Sequence, residues 1–217
     1  MSTGGASSTG STASTASTGS TGSTGPEDVN HRARASEAYR LWWQHDAHWY
    51  QGVASRFGQE AANELNAEAL RKVATHVAQR VGRLSGPLPA TGDTHKDLEE
   101  LRRRYDECGD RMFPQELRNA STEVEEVTDD DGLIVLTLRR SFAVTMVRMA
   151  GSLDGYRCPC TDIHAGWSEG LGVTLTENRA ETCLRDGDKA CRLLMRVSTP
   201  LTHDDDTDND TDTDMED

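Results

Sequence analysis

The stretch ETCLRDGDKACRLLMRV, residues 181–197, places an Asp-Gly-Asp sequence between two segments that each carry a cysteine. Asp-Gly is a strong turn signal between strands. After the turn, apolar side chains recur at every second residue, which is typical of a strand with one buried face. These alternating residues are Cys191, Leu193, Met195 and Val197. The stretch therefore predicts an antiparallel hairpin with a thiol on each strand.

The turn leaves two strand registers open, and they differ in what the thiols can do. A three-residue loop, 186–188, pairs Cys183 with Cys191. Directly opposed residues have Cβ atoms about 4.5–5.5 Å apart, so the two thiols could then meet. A two-residue turn on Asp186-Gly187 instead pairs Cys183 with Ala190, and the thiols would point to opposite faces. The sequence does not choose between these registers.

Outward from the hairpin, the pattern changes from strands to helices toward the N-terminus. Helical apolar spacing predicts three helices, with a break at Gly58. Period-two alternation and an Asp-rich turn predict two further strands before the hairpin. The predicted helices cover 35–57, 59–84 and 94–113, the predicted strands cover 122–128 and 133–140, and 141–151 fits either type. We expect an α+β fold, with N-terminal helices packed on an antiparallel sheet of four or more strands and with disordered termini.

Composition divides the 217 residues into three parts. Residues 1–25 are almost entirely Ser, Thr, Gly and Ala, which offer nothing to bury against the entropy of folding. Residues 203–217 hold nine acidic residues and no Lys or Arg, and such a block repels itself. We therefore predict a disordered linker at 1–25, a single α+β domain at 26–202 and a disordered acidic tail at 203–217.

Charge and hydropathy limit the partners. The formal net charge is −14, which argues against binding to a nucleic-acid backbone. Neither a secretory signal nor an apolar run of about 20 residues is present in this sequence, so we expect no membrane partner. The basic residues are 3 Lys against 20 Arg, and this acidic, lysine-poor composition resembles proteins of salt-loving archaea. We predict a halophilic, cytoplasmic protein whose oligomeric state stays open.

The cysteines suggest a functional site. In a reducing cytoplasm, clustered cysteines more often bind metal or react than form disulfides. Cys160 and His164 would share a face of a short helix, and zinc favours four sulfur or nitrogen ligands. The predicted metal ligands, with zinc as the expected metal, are Cys158, Cys160, His164, Cys183 and Cys191. Two alternatives stay open, namely a nucleophilic thiol at Cys158 or Cys160, and cysteines that act as small buried residues. In either arrangement we expect Cys108 to stand apart.

The aromatic helix suggests a second candidate. Asp46 lies on the apolar stripe of LWWQHDAHWY, residues 41–50, where a carboxylate needs a partner or a polar cavity. It could be a general base or the partner of an arginine. Trp42, Trp49 and Trp167 are the residues that we expect to line an apolar pocket for a small-molecule ligand.

Three stretches resemble a known family. LWWQHDAHWYQGVASRFGQEAANELNAEAL, YRCPCTDIHAGW and CLRDGDKAC are similar to members of the L-2-amino-thiazoline-4-carboxylic acid hydrolase-like family. The C-terminal part also resembles, more distantly, the 4-vinyl-reductase-type small-molecule-binding domains, for which Cys and His ligands to metal have been suggested. The resemblance covers about 36–84 and 150–197. The second thiol of Cys-Pro-Cys departs from the simpler Cys-Pro pattern and favours an uncharacterised branch.

The resemblance implies a hydrolase that acts on a small thiazoline or cyclic amide. In that interpretation Cys158, Cys160 and Asp46 would be catalytic, with a thiolate or a metal-bound water attacking the ring carbon. The alternative is a non-catalytic sensor domain that binds a small molecule or a metal. A cavity where a carboxylate and a thiol converge would favour the hydrolase, whereas a closed metal site would favour the sensor.

Overall fold

The computed structural model describes residues 26–113, 123–128 and 132–198. By their internal contacts the residues form two units, 1–35 and 36–217. In the first unit the structure describes residues 26–35, which are helical. The contacts and the site discussed below belong to the second unit. The predicted linker at 1–25 and the predicted acidic tail at 203–217 lie outside the described residues.

Five α-helices occur in the described ranges; the first begins at Pro26, earlier than the predicted start at 35, whereas the second and third match the predicted ranges within a residue. Their bounds are α1 Pro26–Phe57, α2 Gln59–Ser85, α3 Thr94–Met112, α4 Phe142–Met149 and α5 Cys160–Gly170. The predicted break at Gly58 is confirmed, and its φ of 94° is a conformation that glycine adopts without steric cost. In the part of the chain described here, no helix has the length and apolar character that crossing a membrane requires.

Two helix starts depend on side-chain caps. The cap of α3 is Asp93, whose carboxylate accepts a hydrogen bond from the backbone N–H of Lys96. The ambiguous segment 141–151 contains a helix because the hydroxyl of Ser141 accepts a hydrogen bond from the N–H of Val144. Such caps satisfy donors at the helix start that otherwise have no partner.

The strands form one antiparallel sheet in the order β1-β2-β4-β3. Their bounds are β1 Glu123–Thr128, β2 Leu133–Arg140, β3 Leu175–Thr182 and β4 Cys191–Val197. Side chains are described for the three-stranded part formed by β2, β4 and β3, in which β4 is central. The alternating residues of β4 that the sequence singled out are all buried, and Leu194 is buried as well. The predicted α+β class with an antiparallel sheet is confirmed.

Helix α5 packs tightly on α2. Gly166 and Gly170, four residues apart, face Ala74 and Ala78, also four residues apart. A Cβ atom added to Gly166 would lie 2.8 Å from the Cβ of Ala74, and one added to Gly170 would lie 2.7 Å from that of Ala78. These small residues bring the two backbones close together, so α5 and the Cys158–Cys160 segment before it are held firmly against the domain.

A buried arginine joins α3 to the end of α2. Arg104 is 2 % exposed, and it donates hydrogen bonds to the carbonyl oxygens of Gly86 and Ser85 at 2.9 and 3.0 Å. Its Nε donates to the carboxylate of Glu100 at 2.6 Å. The carbonyls that α2 leaves unpaired at its C-terminus thus find a charged donor, and a buried charge finds its counter-ion.

Acid should weaken this link. Hydrogen bonds from Arg103 and then from Arg104 lower the pKa of Glu100 from 4.5 to about 2. Because the folded pKa is depressed, the contribution of Glu100 is complete above the unfolded value and is lost as the pH falls toward 2. We expect Glu100→Gln to flatten the acid dependence of unfolding free energy by about 1–3 kcal/mol in urea titrations. Glu64→Gln, on an exposed position of α2, is the control and should leave the acid dependence unchanged.

Candidate functional site

The hairpin keeps the register that opposes Cys183 to Cys191, because Thr182 pairs with Arg192, but its loop is wider than the three residues expected. After Cys183 the chain forms a 3₁₀ turn, Leu184–Asp186, and Gly187 then takes a φ of 92°. The carboxylate of Asp188 reaches back and accepts a hydrogen bond from the N–H of Cys183 at 2.9 Å. This wider loop directs both thiols to the same side, and the sulfurs of Cys183 and Cys191 lie 3.7 Å apart.

The Cys-Pro-Cys segment supplies a second pair of thiols. Pro159 is the N-cap residue of α5 and Cys160 is its first residue. The sulfurs of Cys158 and Cys160 are 3.0 Å apart. The thiol of Cys158 also forms hydrogen bonds with those of Cys183 and Cys191. The four thiols therefore converge, and we call them the thiol cluster. Cys108 is fully buried in another part of the core, on α3.

The thiol cluster favours a negative charge on one sulfur. Hydrogen bonds from the thiols of Cys158 and then Cys191 lower the pKa of Cys183. The pKa values of Cys158 and Cys191 are raised, because each keeps its proton while donating it to a neighbouring sulfur. The backbone N–H of Leu184 also donates to the sulfur of Cys191, at 3.3 Å. These directions agree with a thiolate on Cys183 that accepts hydrogen bonds from neighbouring neutral thiols.

A guanidinium stands beside the cluster. Arg185 donates to the carbonyl oxygen of Tyr156 at 2.7 Å and pairs with Asp186 at 2.5 Å. The pKa of Arg185 is raised chiefly by Asp186, and also by negative charge on Cys183. Its positive charge in turn helps to lower the pKa of Cys183. Tyr156, which contributes the carbonyl, is 3 % exposed, so the backbone that holds Arg185 in place is anchored in the core.

His164 is fixed by its neighbours. Its Nδ1 lies 2.7 Å from the carbonyl oxygen of Cys160, and its ring contacts that of Trp167 at a centroid distance of 4.9 Å. Burial lowers the pKa of His164, so the ring is neutral. A carbonyl oxygen can only accept, so Nδ1 carries the proton and Nε2 is left as a hydrogen-bond acceptor.

The sequence pattern did not predict the hydrogen bonds that link His164 to Ser168 and Ser168 to Tyr105. Ser168 donates from its hydroxyl to the carbonyl oxygen of His164 at 2.8 Å. The hydroxyls of Ser168 and Tyr105 lie 2.6 Å apart, although 63 residues separate them in sequence. The i, i+4 spacing of His164 and Ser168 was a usable signal, since such residues are neighbours on a helix. Nothing in the sequence could have shown that Tyr105 meets them.

A cavity of about 310 Å³ lies beside the cluster. Two of the four thiols, those of Cys158 and Cys160, form part of its wall, together with His164. Most of the remaining wall is apolar, and two acidic residues, Asp46 and Asp106, lie at its edge. Its main apolar side chains are Leu136, Met146, Ile163, Trp167 and Met195.

The tryptophans expected at the pocket divide between wall and surface. Trp167 lines the cavity and is 6 % exposed. Trp42 and Trp49 lie on α1 with 62 % and 45 % of their surface exposed, outside the cavity wall. The α1 residues that line the cavity are Trp43, Asp46, Ala47, Tyr50 and Gln51, and of these only Asp46 lies on the predicted stripe.

Asp46 reaches the cavity wall but is not enclosed. Its side chain is 51 % exposed, and its carboxylate lies 3.3 Å from Nδ1 of His45. The predicted arginine partner is therefore replaced by a neighbouring histidine. The catalytic role assigned to Asp46 stays a prediction.

The metal prediction needs correction. Among the residues that the structure describes, no group of three or more His, Cys, Asp and Glu side chains is arranged to hold a metal ion. Two sulfurs on one tetrahedral zinc would be about 3.8 Å apart, given bonds of about 2.3 Å. The Cys183–Cys191 pair approaches that separation, but the sulfurs of Cys158 and Cys160, at 3.0 Å, are too close. His164 directs Nδ1 to the carbonyl oxygen of Cys160. Neither zinc nor another metal is supported here.

Comparison with known proteins overturns the family assignment. No family model matches the chain, and neither does any curated protein. A solved structure of a trafficking protein particle complex subunit 3 from Naegleria fowleri, covalently bound to palmitic acid, is similar at 12 % identity with a TM-score of 0.41. It covers 77 % of this chain and 99 % of its own, and likeness of this degree assigns no function. The predicted membership of the thiazoline hydrolase-like family is corrected, because no family model supports it. The hydrolase function and the small-molecule or metal sensor drawn from it are withdrawn with it.

Proposed function

We propose that this protein is a thiol redox switch that works in a reducing cytoplasm, with Cys158 and Cys160 as the pair that is oxidised and reduced. The observation that carries the proposal is the 3.0 Å separation of their sulfurs. Formation of a disulfide, with a bond of about 2.05 Å, then needs the sulfurs to approach by roughly 1 Å. All five cysteines are free thiols in this state, which is the reduced form of the switch.

The switching step balances with a small disulfide as oxidant. A thiolate in the cluster attacks one sulfur of the reagent, and the first reagent thiolate leaves. The second cluster thiol then attacks the mixed disulfide, the internal disulfide forms, and the second reagent thiolate leaves. Two electrons and two protons pass from Cys158 and Cys160 to the reagent, which ends as two thiols. Reduction by a dithiol reverses each bond change.

The other two cysteines support the reactive pair. Cys158 donates a hydrogen bond to the thiolate of Cys183, and this contact with a negative charge raises the electron density on the sulfur of Cys158. The positive charge of Arg185 balances the negative charge of the Cys183 thiolate. Cys183 and Cys191 are 8 % and 1 % exposed, whereas Cys158 and Cys160 are only half-buried. Reagents therefore reach the Cys158–Cys160 pair first.

A redox titration tests the proposal. The full-length chain, reduced and treated with a chelator, is equilibrated in mixtures of reduced and oxidised dithiothreitol, then alkylated and digested with trypsin. Cys158 and Cys160 fall in one peptide, 158–179, whereas Cys183 and Cys191 fall in separate peptides. We expect peptide 158–179 to appear unalkylated and lighter by two hydrogens as the mixture becomes more oxidising.

Two variants make the titration decisive. Cys108→Ser removes a thiol that lies apart from the cluster, and it should titrate like the wild type. Cys160→Ser should leave Cys158 open to alkylation or paired with a reagent thiol. The proposal is wrong if peptide 158–179 remains doubly alkylated under conditions that oxidise exposed dithiols, or if its disulfide forms only after denaturation.

A further inference from the structure

We infer that the oxidant of this switch is an apolar organic hydroperoxide, which approaches Cys158 and Cys160 through the cavity. The inference rests on the proposed redox function and adds the class of its substrate. Three features of the cavity carry it, namely the thiols in its wall, the apolar character of that wall, and the polar groups that remain.

The thiols of the switch face the cavity and the others do not. Cys158 and Cys160 contribute to the cavity wall, while Cys183 and Cys191 are absent from the described wall residues. An oxidant bound in the cavity therefore meets the sulfur pair that is set to form a disulfide. The volume of about 310 Å³ is at the lower end of the range, about 300–1,000 Å³, that small-molecule sites occupy.

The wall favours an uncharged, apolar molecule. Its side chains include Leu136, Met146, Ile163 and Met195, which offer no hydrogen bonds to a charged group. Burial of an apolar ligand surface is favourable by roughly 25 cal/mol per Å². The acidic side chains of Asp46 and Asp106 at the wall, and the net charge of −14, oppose anionic oxidants such as glutathione disulfide.

The histidine provides a hydrogen-bond acceptor in a mostly apolar wall, which also holds the polar side chains of Gln51, Asn66, Ser141 and Ser152. Nδ1 of His164 is occupied by the carbonyl oxygen of Cys160, so Nε2 is the acceptor on the ring that lines the cavity. An alkyl hydroperoxide has one O–H donor on an otherwise apolar body. A molecule of this class matches the wall in both respects.

The reaction balances without a further reactant. The sulfur of Cys158 attacks the terminal oxygen of the hydroperoxide. The O–O bond breaks, a sulfenic acid forms, and the leaving alkoxide takes the proton that Cys158 gives up. The sulfur of Cys160 then attacks the sulfenic sulfur, so that the S–S bond forms and water leaves with the proton of Cys160. Two electrons reduce the hydroperoxide to an alcohol and water.

Competition between oxidants tests the inference. The reduced full-length chain is mixed with cumene hydroperoxide, hydrogen peroxide or diamide, and formation of the 158–179 disulfide is followed by quenching and peptide mass. Hydrogen peroxide can enter the cavity but gains no apolar burial. We expect cumene hydroperoxide to react at least about 10-fold faster than hydrogen peroxide, which is the ratio that about 1.4 kcal/mol of extra binding produces. One cumyl alcohol should form for each disulfide.

A matched pair of variants locates the effect in the cavity. Ala143→Phe fills the cavity from an exposed wall position, and Ala38→Phe makes the same change at an exposed position of α1 outside the wall. We expect Ala143→Phe to lose the preference for cumene hydroperoxide over hydrogen peroxide. Ala38→Phe should behave like the wild type.

The outcomes separate this inference from the proposed function. If diamide forms the Cys158–Cys160 disulfide but hydrogen peroxide reacts as fast as cumene hydroperoxide, the inference is wrong and the switch stands. The inference is also wrong, with the switch intact, if Ala143→Phe keeps the preference. If diamide produces no disulfide in peptide 158–179, the proposed function itself fails.

Discussion

Replacing Gly166 by alanine should destabilise the protein by about 3 kcal/mol, the upper end of what overpacking in a core costs. The added Cβ would lie 2.8 Å from the Cβ of Ala74 and would also press on the backbone carbonyl of Arg71. Neither neighbour is a flexible side-chain end that could move aside. Helix α5 must therefore shift away from α2, and the Cys-Pro-Cys segment that precedes it shifts as well.

The control uses the same substitution in the partner helix. A Cβ added to Gly82 of α2 would meet no atom within 4 Å. Because alanine costs less conformational entropy than glycine in a helix, Gly82→Ala should be neutral or stabilising by roughly 0.5–1 kcal/mol. Urea denaturation followed by circular dichroism gives both values. Equal shifts for the two variants would show that close packing of α5 on α2 is not what Gly166 provides.

Local sequence signals predicted the elements of this fold well. Helical apolar spacing and the glycine at 58 predicted α1 and α2, and alternation in ACRLLMRV predicted β4. These signals depend on a residue and its near neighbours along the chain, so they can be recognised without knowing the tertiary structure. The role of the small residues of α5 could not be predicted in this way, because Gly166 matters only through its contact with Ala74 of another helix.

The candidate site was predictable in its members but not in its geometry. Recurrence of cysteine at short spacing singled out the residues of the thiol cluster. The hairpin register could not be foreseen, because it depends on the side chain of Asp188 binding the N–H of Cys183. The face of α1 was chosen wrongly for a similar reason. Trp42 and Trp43 are equally apolar, and only packing in three dimensions turns Trp43 toward the cavity.

Replacing Cys183 by serine should slow the reaction of the thiol cluster with a neutral aromatic disulfide by about tenfold at pH 5. An ordinary thiol has a pKa near 9 and is deprotonated in roughly one molecule in 10⁴ at that pH. The lowered pKa of Cys183 keeps a thiolate in the cluster under the same conditions. A thiolate of low pKa is a weaker nucleophile, which reduces the advantage by about three powers of ten and leaves the expected tenfold.

The pH profile distinguishes a lost charge from a damaged fold. Because the pKa of Cys183 is lowered, the wild-type rate should change little between about pH 5 and pH 8, since the thiolate is present throughout. Without Cys183 the rate should rise about tenfold per pH unit, as for an ordinary thiol. Cys108→Ser is the matched control, because burial raises the pKa of Cys108 to about 12 and that thiol contributes nothing to the fast reaction. A wild-type rate that itself climbs tenfold per pH unit would mean that the cluster holds no thiolate.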